Sequence, residues 1–227
     1  MGAETINPVE RGDTVVLLHG LGRSARNMLI LEWRLRAMGY SVCNLNYDTR
    51  VQGIEEILEE VAPAVKRCAE GAEAVHFVTH SLGGLVLRAL LEAESLPEAG
   101  RAVMLAPPNQ GSEIADELRD LRVTKSVLGP IAGQLGTRES DLPQSLSAPR
   151  IPFGVIAGDR WVNPVGPIWL PSPHDGTVSV ASTRLDGMED HLVLPHTHTF
   201  IVNSAGVARQ VDAFLRQGRF NRGPSNR

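Results

Sequence analysis

The chain has 227 residues, 42 % hydrophobic and 21 % charged, which suits one globular domain of the ~200–250 residues common among single α/β folds. A formal charge of −4 and an isoelectric point near 6.0 argue against a nucleic-acid partner, since the only Arg-rich piece is the short end of the chain. No apolar run nears the ~18 residues of a membrane span.

Residues 1–6 lack a basic stretch leading into an apolar one, so no signal peptide is expected. Ile6 stands where a myristoylation motif wants Ser or Thr. Cys43 and Cys68 read as two buried free thiols, which places the chain in the cytoplasm. Thr14–Leu18 (TVVLL) reads as a buried strand ending at His19-Gly20. Met28, Leu31, Leu35 and Met38 then recur at helical spacing, with Ser24 as the expected N-cap and Gly39 as the stop.

Residues 41–46 alternate as a second strand, and Ile54, Ile57, Leu58, Val61, Val65 and Cys68 mark a helix with Pro63 inside it, where a kink is expected. Residues 74–80 form an apolar run entering Ser81, and a helix over residues 82–92 is apolar on nearly every side, as befits the middle of a domain. Strands are expected at residues 101–106, 151–157 and 191–194, and a last helix at residues 200–215. This alternation predicts an α/β fold, a mostly parallel sheet with helices on both faces.

One stretch breaks the rhythm. Residues 107–150 carry two short helical patterns, Ile114/Leu118/Leu121 and Val127/Leu128/Ile131/Leu135, more than a bare connection needs. They are expected to form a small helical cap on a single domain, with residues 161–173 a Trp/Pro loop at the same rim and residues 218–227 a loose tail.

Thr79-His80-Ser81-Leu82-Gly83-Gly84 is the stretch richest in chemistry. A strand that turns sharply into a helix pushes one side chain out at the top of the sheet, in the pattern G-x-S-x-G, here with Thr79 in place of the first glycine. Serine attacks only when a base takes its proton, so Ser81 as nucleophile requires a histidine late in the chain and an acid before it. His80 adjoins Ser81 and points away in such a turn, so it reads as a packed histidine. His191 opens the last strand and reads as structural. His196 and His198 both fall in the loop before the last helix. We take His198, directly before Thr199-Phe200-Ile201, as the base, with His196 as the alternative.

Asp175, in His174-Asp175-Gly176-Thr177, is the expected acid because the Asp-Gly turn fixes its direction; Asp159, in a Gly-Asp pair after the preceding strand, is the alternative. Developing negative charge needs main-chain donors, assigned to the N–H groups of Leu82, directly after Ser81, and Leu21, in the glycine-rich loop after the first strand. His174, His191, His196 and His198 with Asp175 could be metal ligands, but no H-E-x-x-H motif is present, so no metal is expected. Ala25 occupies the third glycine position of a dinucleotide fingerprint and no Walker loop occurs, so no cofactor is expected.

With these residues in place the chain resembles the α/β-hydrolases, in particular the small bacterial lipase/esterase-like members akin to the PGAP1-like branch. The resemblance lies in His19-Gly20-Leu21-Gly22-Arg23-Ser24, the Ser81 turn, Ala106-Pro107-Pro108-Asn109-Gln110-Gly111-Ser112, Asp175-Gly176-Thr177-Val178-Ser179-Val180 and His198-Thr199-Phe200. It implies hydrolysis of a small-molecule or lipid ester through an acyl-enzyme on Ser81, with Asp175, His198, Leu21 and Leu82 in the roles above. Transfer of the acyl group to an alcohol, or a hydrolase-fold binding protein without turnover, are the alternatives. An apolar acyl pocket is expected between the helical patterns of residues 118–135 and the loop of residues 161–169.

Overall fold

The structure, a computed structural model, describes residues 12–94, 96, 98–118, 129–162 and 170–222. Six strands run β1 (Thr14–Leu18), β2 (Ser41–Leu45), β3 (Val75–His80), β4 (Ala99–Leu105), β5 (Phe153–Gly158) and β6 (Asp190–Leu194). They form one sheet of order β2-β1-β3-β4-β5-β6, and every pairing is parallel. Beside them lie α1 (Leu29–Ala37), α2 (Ile54–Ala69), α3 (Gly83–Ala93), α4 (Glu113–Leu118), α5 (Leu142–Ser145) and α6 (Ala205–Gln217).

Both faces of the sheet are covered, and alternate strand residues feed two cores. Val16, Leu18, Phe77, Met104 and Val155 pack with α2 and α3 on one side. Val15, Leu17, Val78, Leu105 and Ile156 pack with α1 and α6 on the other. This double coverage is why the strands read as apolar runs rather than alternating ones. Strand order reverses between β1 and β3, so the crevice beyond their carboxyl ends is where such a sheet takes a ligand.

The elements differ in detail from their sequence patterns. A short 3-10 turn, Ala25–Met28, precedes α1, and the Ser24 side chain makes no capping hydrogen bond there. Met28, Leu31 and Leu35 are buried as the periodicity requires, yet Leu29, Ile30 and Trp33 on the same helix face solvent. Pro63 sits within α2, which continues through it as helix. Both Pro63 and Glu59, whose carbonyl would otherwise receive the missing N–H, are exposed. The last helix begins later than its apolar pattern: residues 201–203 form a 3-10 turn, and the Ser204 hydroxyl accepts from the Val207 N–H to cap α6.

Residues 218–222, within the expected loose tail, are pinned. Phe220 is buried against Phe214, its N–H donates to Asp190, and Arg222 pairs with the same carboxylate. Residues 223–227 lie outside the described residues, as do Leu121, Val127 and Leu128 of the cap pattern.

The expectation of two free thiols is overturned: Cys43 of β2 and Cys68 near the end of α2 are joined in a disulfide, 25 residues apart in sequence. Partial burial of each under the same helix–strand contact brings them together. Closing a ring of this size constrains the unfolded chain by roughly 3 kcal/mol. Disulfides persist in oxidising compartments, so the thiol argument for a cytoplasmic chain no longer stands. No described helix is long and apolar enough to cross a membrane.

Candidate active site

Ser81 stands at the junction of β3 and α3 with φ 54°, a left-handed conformation uncommon for a residue with a side chain. The turn is enforced from both sides. The Ser81 N–H donates to Leu105 O of β4 at 2.9 Å, and its carbonyl accepts from the Gly84 N–H at 2.9 Å. A Cβ on Gly83 would lie 2.3 Å from Leu18 O, so only glycine lets α3 begin this close to β1. Gly84 is held small by Pro107, whose Cβ would lie 2.9 Å from a Cβ there. Thr79, in place of the motif's first glycine, is fully buried near the end of β3, and α3 begins at Gly83.

His198 comes from the loop between β6 and α6. Its Nδ1–H donates to Asp175 Oδ2 at 2.7 Å, which leaves Nε2 to accept the Ser81 hydroxyl at 3.0 Å. Asp175 is buried, and its other oxygen accepts the N–H groups of Thr177 and Val178 at 2.9 and 2.8 Å. The Asp-Gly turn thus aims the carboxylate, and the His198 N–H donates back to Asp175 O at 3.1 Å. Ser81, His198 and Asp175 therefore meet in one hydrogen-bonded chain.

The two alternatives lie elsewhere. His196 packs its carbonyl against Gly158, where a Cβ would come within 2.3 Å of it, and no hydrogen bond joins its ring to Ser81. Asp159 pairs with the neighbouring Arg160 at 3.1 Å. His191 bonds the Thr183 hydroxyl at 3.0 Å, and His174 Nδ1 accepts the Gly176 N–H at 3.1 Å. Among the described residues, no group of three metal-ligating side chains converges.

Two supports were not visible in the sequence. The Tyr47 hydroxyl donates to His19 O, and the rings of Tyr47 and His19 stack at 4.1 Å. Gly22 N–H donates to Thr49 Oγ1 at 2.8 Å. Together they fix the loop of residues 19–22, where a Cβ on Gly20 would sit 3.0 Å from Ser81 Cβ. Their partners are 27 and 28 residues away in the chain, so no local pattern announces them. Within the described residues the N–H groups of Leu21 and Leu82 have no hydrogen-bond partner.

The third support is His80. It is buried, and its Nε2–H donates to His198 O at 2.9 Å, which places the base from behind. Its ring lies 4.9 Å from that of His198. Burial above all, then the neighbouring His198, pulls its pKa from 6.5 down to about 3. A neutral His80 adds no charge against the imidazolium that would form on His198. Because the unfolded chain takes this proton first, the stabilisation is fully present above about pH 6.5 and is lost as pH falls toward 3. Urea unfolding is expected to show stability falling from about pH 7 to about pH 4, with a flatter slope in His80→Asn. An unchanged slope in that variant would remove His80 from the account. His191, held down to about 4 chiefly by burial, supplies part of the slope that remains.

Beside Ser81 opens a cavity of about 250 Å³. Its apolar wall is Leu21, Pro108, Ile114, Ala132, Leu135 and Val178, so the segment of residues 107–150 supplies much of it. Trp161 is not part of that wall: it is half exposed and stacks on His174 at 5.6 Å, and residues 163–169 of the same loop lie outside the described residues.

No protein-family model matches the chain, and no curated protein matches it in sequence. Solved structures do match. The mature form of the Bacillus licheniformis lipase BlEst2 is 16 % identical with a TM-score of 0.74, over 96 % of this chain and 97 % of that one. A lipase-esterase related protein from Clostridium acetobutylicum is 14 % identical, with a TM-score of 0.57 over 90 % and 95 % of the two chains. An extracellular α/β-hydrolase from a Paenibacillus species is 16 % identical, with a TM-score of 0.58 over 90 % and 99 %. A six-stranded parallel sheet flanked by helices, superposing on such structures nearly end to end, is an α/β-hydrolase fold.

Proposed function

We propose that the protein is a serine hydrolase of carboxylic esters. The observation that carries the reading is the continuous chain from Asp175 through His198 to Ser81 at the mouth of an apolar cavity. The Ser81 oxygen attacks the ester carbonyl as its proton passes to His198 Nε2, and Asp175 holds and stabilises the imidazolium. The carbonyl oxygen, now negative, faces the unengaged N–H groups of Leu21 and Leu82. His198 returns the proton to the departing alcohol, leaving an acyl-Ser81 that water cleaves by the same steps in reverse. The acyl group lies against Ile114, Ala132 and Leu135 of the segment 107–150, which acts as a small cap. The solved neighbours described as a lipase and a lipase-esterase related protein support this reading.

A fluorophosphonate probe is expected to label the folded wild type and not Ser81→Ala. An unlabelled wild type would sink the proposal.

A further inference from the structure

The cavity beside Ser81 does not end at Arg23. On the other side of that residue runs an open groove of about 460 Å³ lined by Gly22, Arg23, Ser24, Arg26, Asn27 and Arg50. In a chain of net charge −4 this groove gathers three guanidinium groups. Only Arg50 has a carboxylate partner, Asp48 at 3.3 Å; among the described residues Arg23 and Arg26 have none. Arg23 donates to Thr199 Oγ1 at 3.3 Å, which fixes it beside His198 on the boundary between the two spaces. Asn27 lines the same groove, and its Nδ2 is buried with no hydrogen-bond partner among the described residues, a donor left unused where an unused donor is costly.

The cavity and the groove share Arg23, so an ester at Ser81 with its acyl half in the apolar cavity can extend its alcohol half toward the groove. We propose that the groove is a subsite for a phosphate-type anion on the alcohol half of the substrate. The substrate is then an ester that is apolar at the acyl end and anionic at the other. Guanidinium forks suit phosphate geometry and would take it in charge-assisted hydrogen bonds. This inference rests on the ester-hydrolase reading of Ser81.

The test compares kcat/KM for two soluble esters, the butanoyl ester of glycerol 3-phosphate and that of glycerol. Wild type is expected to prefer the phosphate-bearing ester by about tenfold at low salt, and less as salt screens the exposed guanidiniums. In Arg26→Gln/Arg50→Gln the ratio is expected to collapse toward one. A ratio near one in wild type, or one unchanged in the variant, would overturn the subsite. Should the double variant fail to fold, Arg26→Gln alone and competition by inorganic phosphate against the neutral ester give the same decision.

The two readings fail separately. Hydrolysis of the neutral ester without phosphate preference removes the subsite alone. If neither ester is cleaved and the fluorophosphonate does not label Ser81, the ester reading falls, and a calorimetric titration of wild type and variant with inorganic phosphate decides the groove by itself. A preference confined to phosphatidylglycerol vesicles and absent with the soluble esters would make this face a membrane-docking surface, and would also overturn the subsite.

Discussion

His198→Ala is expected to lower kcat on a p-nitrophenyl ester by about 10⁴- to 10⁶-fold, whereas His196→Ala stays close to wild type. The difference follows from geometry. His198 Nε2 is 3.0 Å from the Ser81 oxygen and its Nδ1 is 2.7 Å from Asp175. His196 has no bond to either, and burial lowers its pKa with only Asp159 opposing. Ser81→Ala should lose as much as His198→Ala, and the double variant no more than either single one, because nucleophile and base act as a unit. Asp175→Asn should cost about 10⁴-fold, since an amide can no longer hold the imidazole in the tautomer that leaves Nε2 free. Steady-state kinetics with active-site titration decide among these. Losses reversed between His196 and His198 would mean that the proton takes another path.

Legibility of the sequence followed the range of the interactions. The buried strands were readable because a parallel sheet covered on both faces demands continuous apolar runs, and Thr14–Leu18 occupies the predicted residues. Ser81, Asp175 and His198 were readable because chain order and turn chemistry constrain them, and the structure brings those three together. What stayed hidden depends on contacts between distant segments. Cys43 and Cys68 carry no sign of pairing, since a lone pair in a strand and a helix reads equally as two buried thiols. Trp161 reads as a pocket wall by hydrophobicity, but it stacks on His174 instead. His80 read correctly as a packed histidine, but its bond to His198 O spans 118 residues.

Arg88→Met is expected to lower the unfolding free energy by about 3 kcal/mol or more, read by urea unfolding at neutral pH. Arg88 reads as an intruder on α3, whose neighbours Leu85, Val86, Leu87, Ala89 and Leu90 are buried core. Yet it is only 2 % exposed. Its guanidinium is spent on main-chain carbonyls: Ser147 at 3.1 Å, Asn109 at 3.2 Å, Pro143 at 2.9 Å, and Leu146. Glu92, one turn on, accepts from Ser147 and adds its charge. Burial pulls the guanidinium's pKa to about 10, so it stays charged at neutral pH. One side chain thus ties the helix behind the nucleophile to α5 and to the loop after β4. Methionine keeps the aliphatic volume but strands the buried acceptors Asn109 O and Pro143 O, each of which costs about 1–3 kcal/mol without a partner. The release of a desolvated cation offsets part of that sum, which is why the expected net is nearer the lower end. Lysine should restore only a fraction, since a single ammonium cannot fork toward four carbonyls. Because α5 and residues 130–134 belong to the segment that walls the cavity, Arg88→Met should raise KM more than it lowers kcat. A variant as stable as wild type, or one in which kcat falls while KM holds, would show that the clasp serves neither the fold nor the cavity.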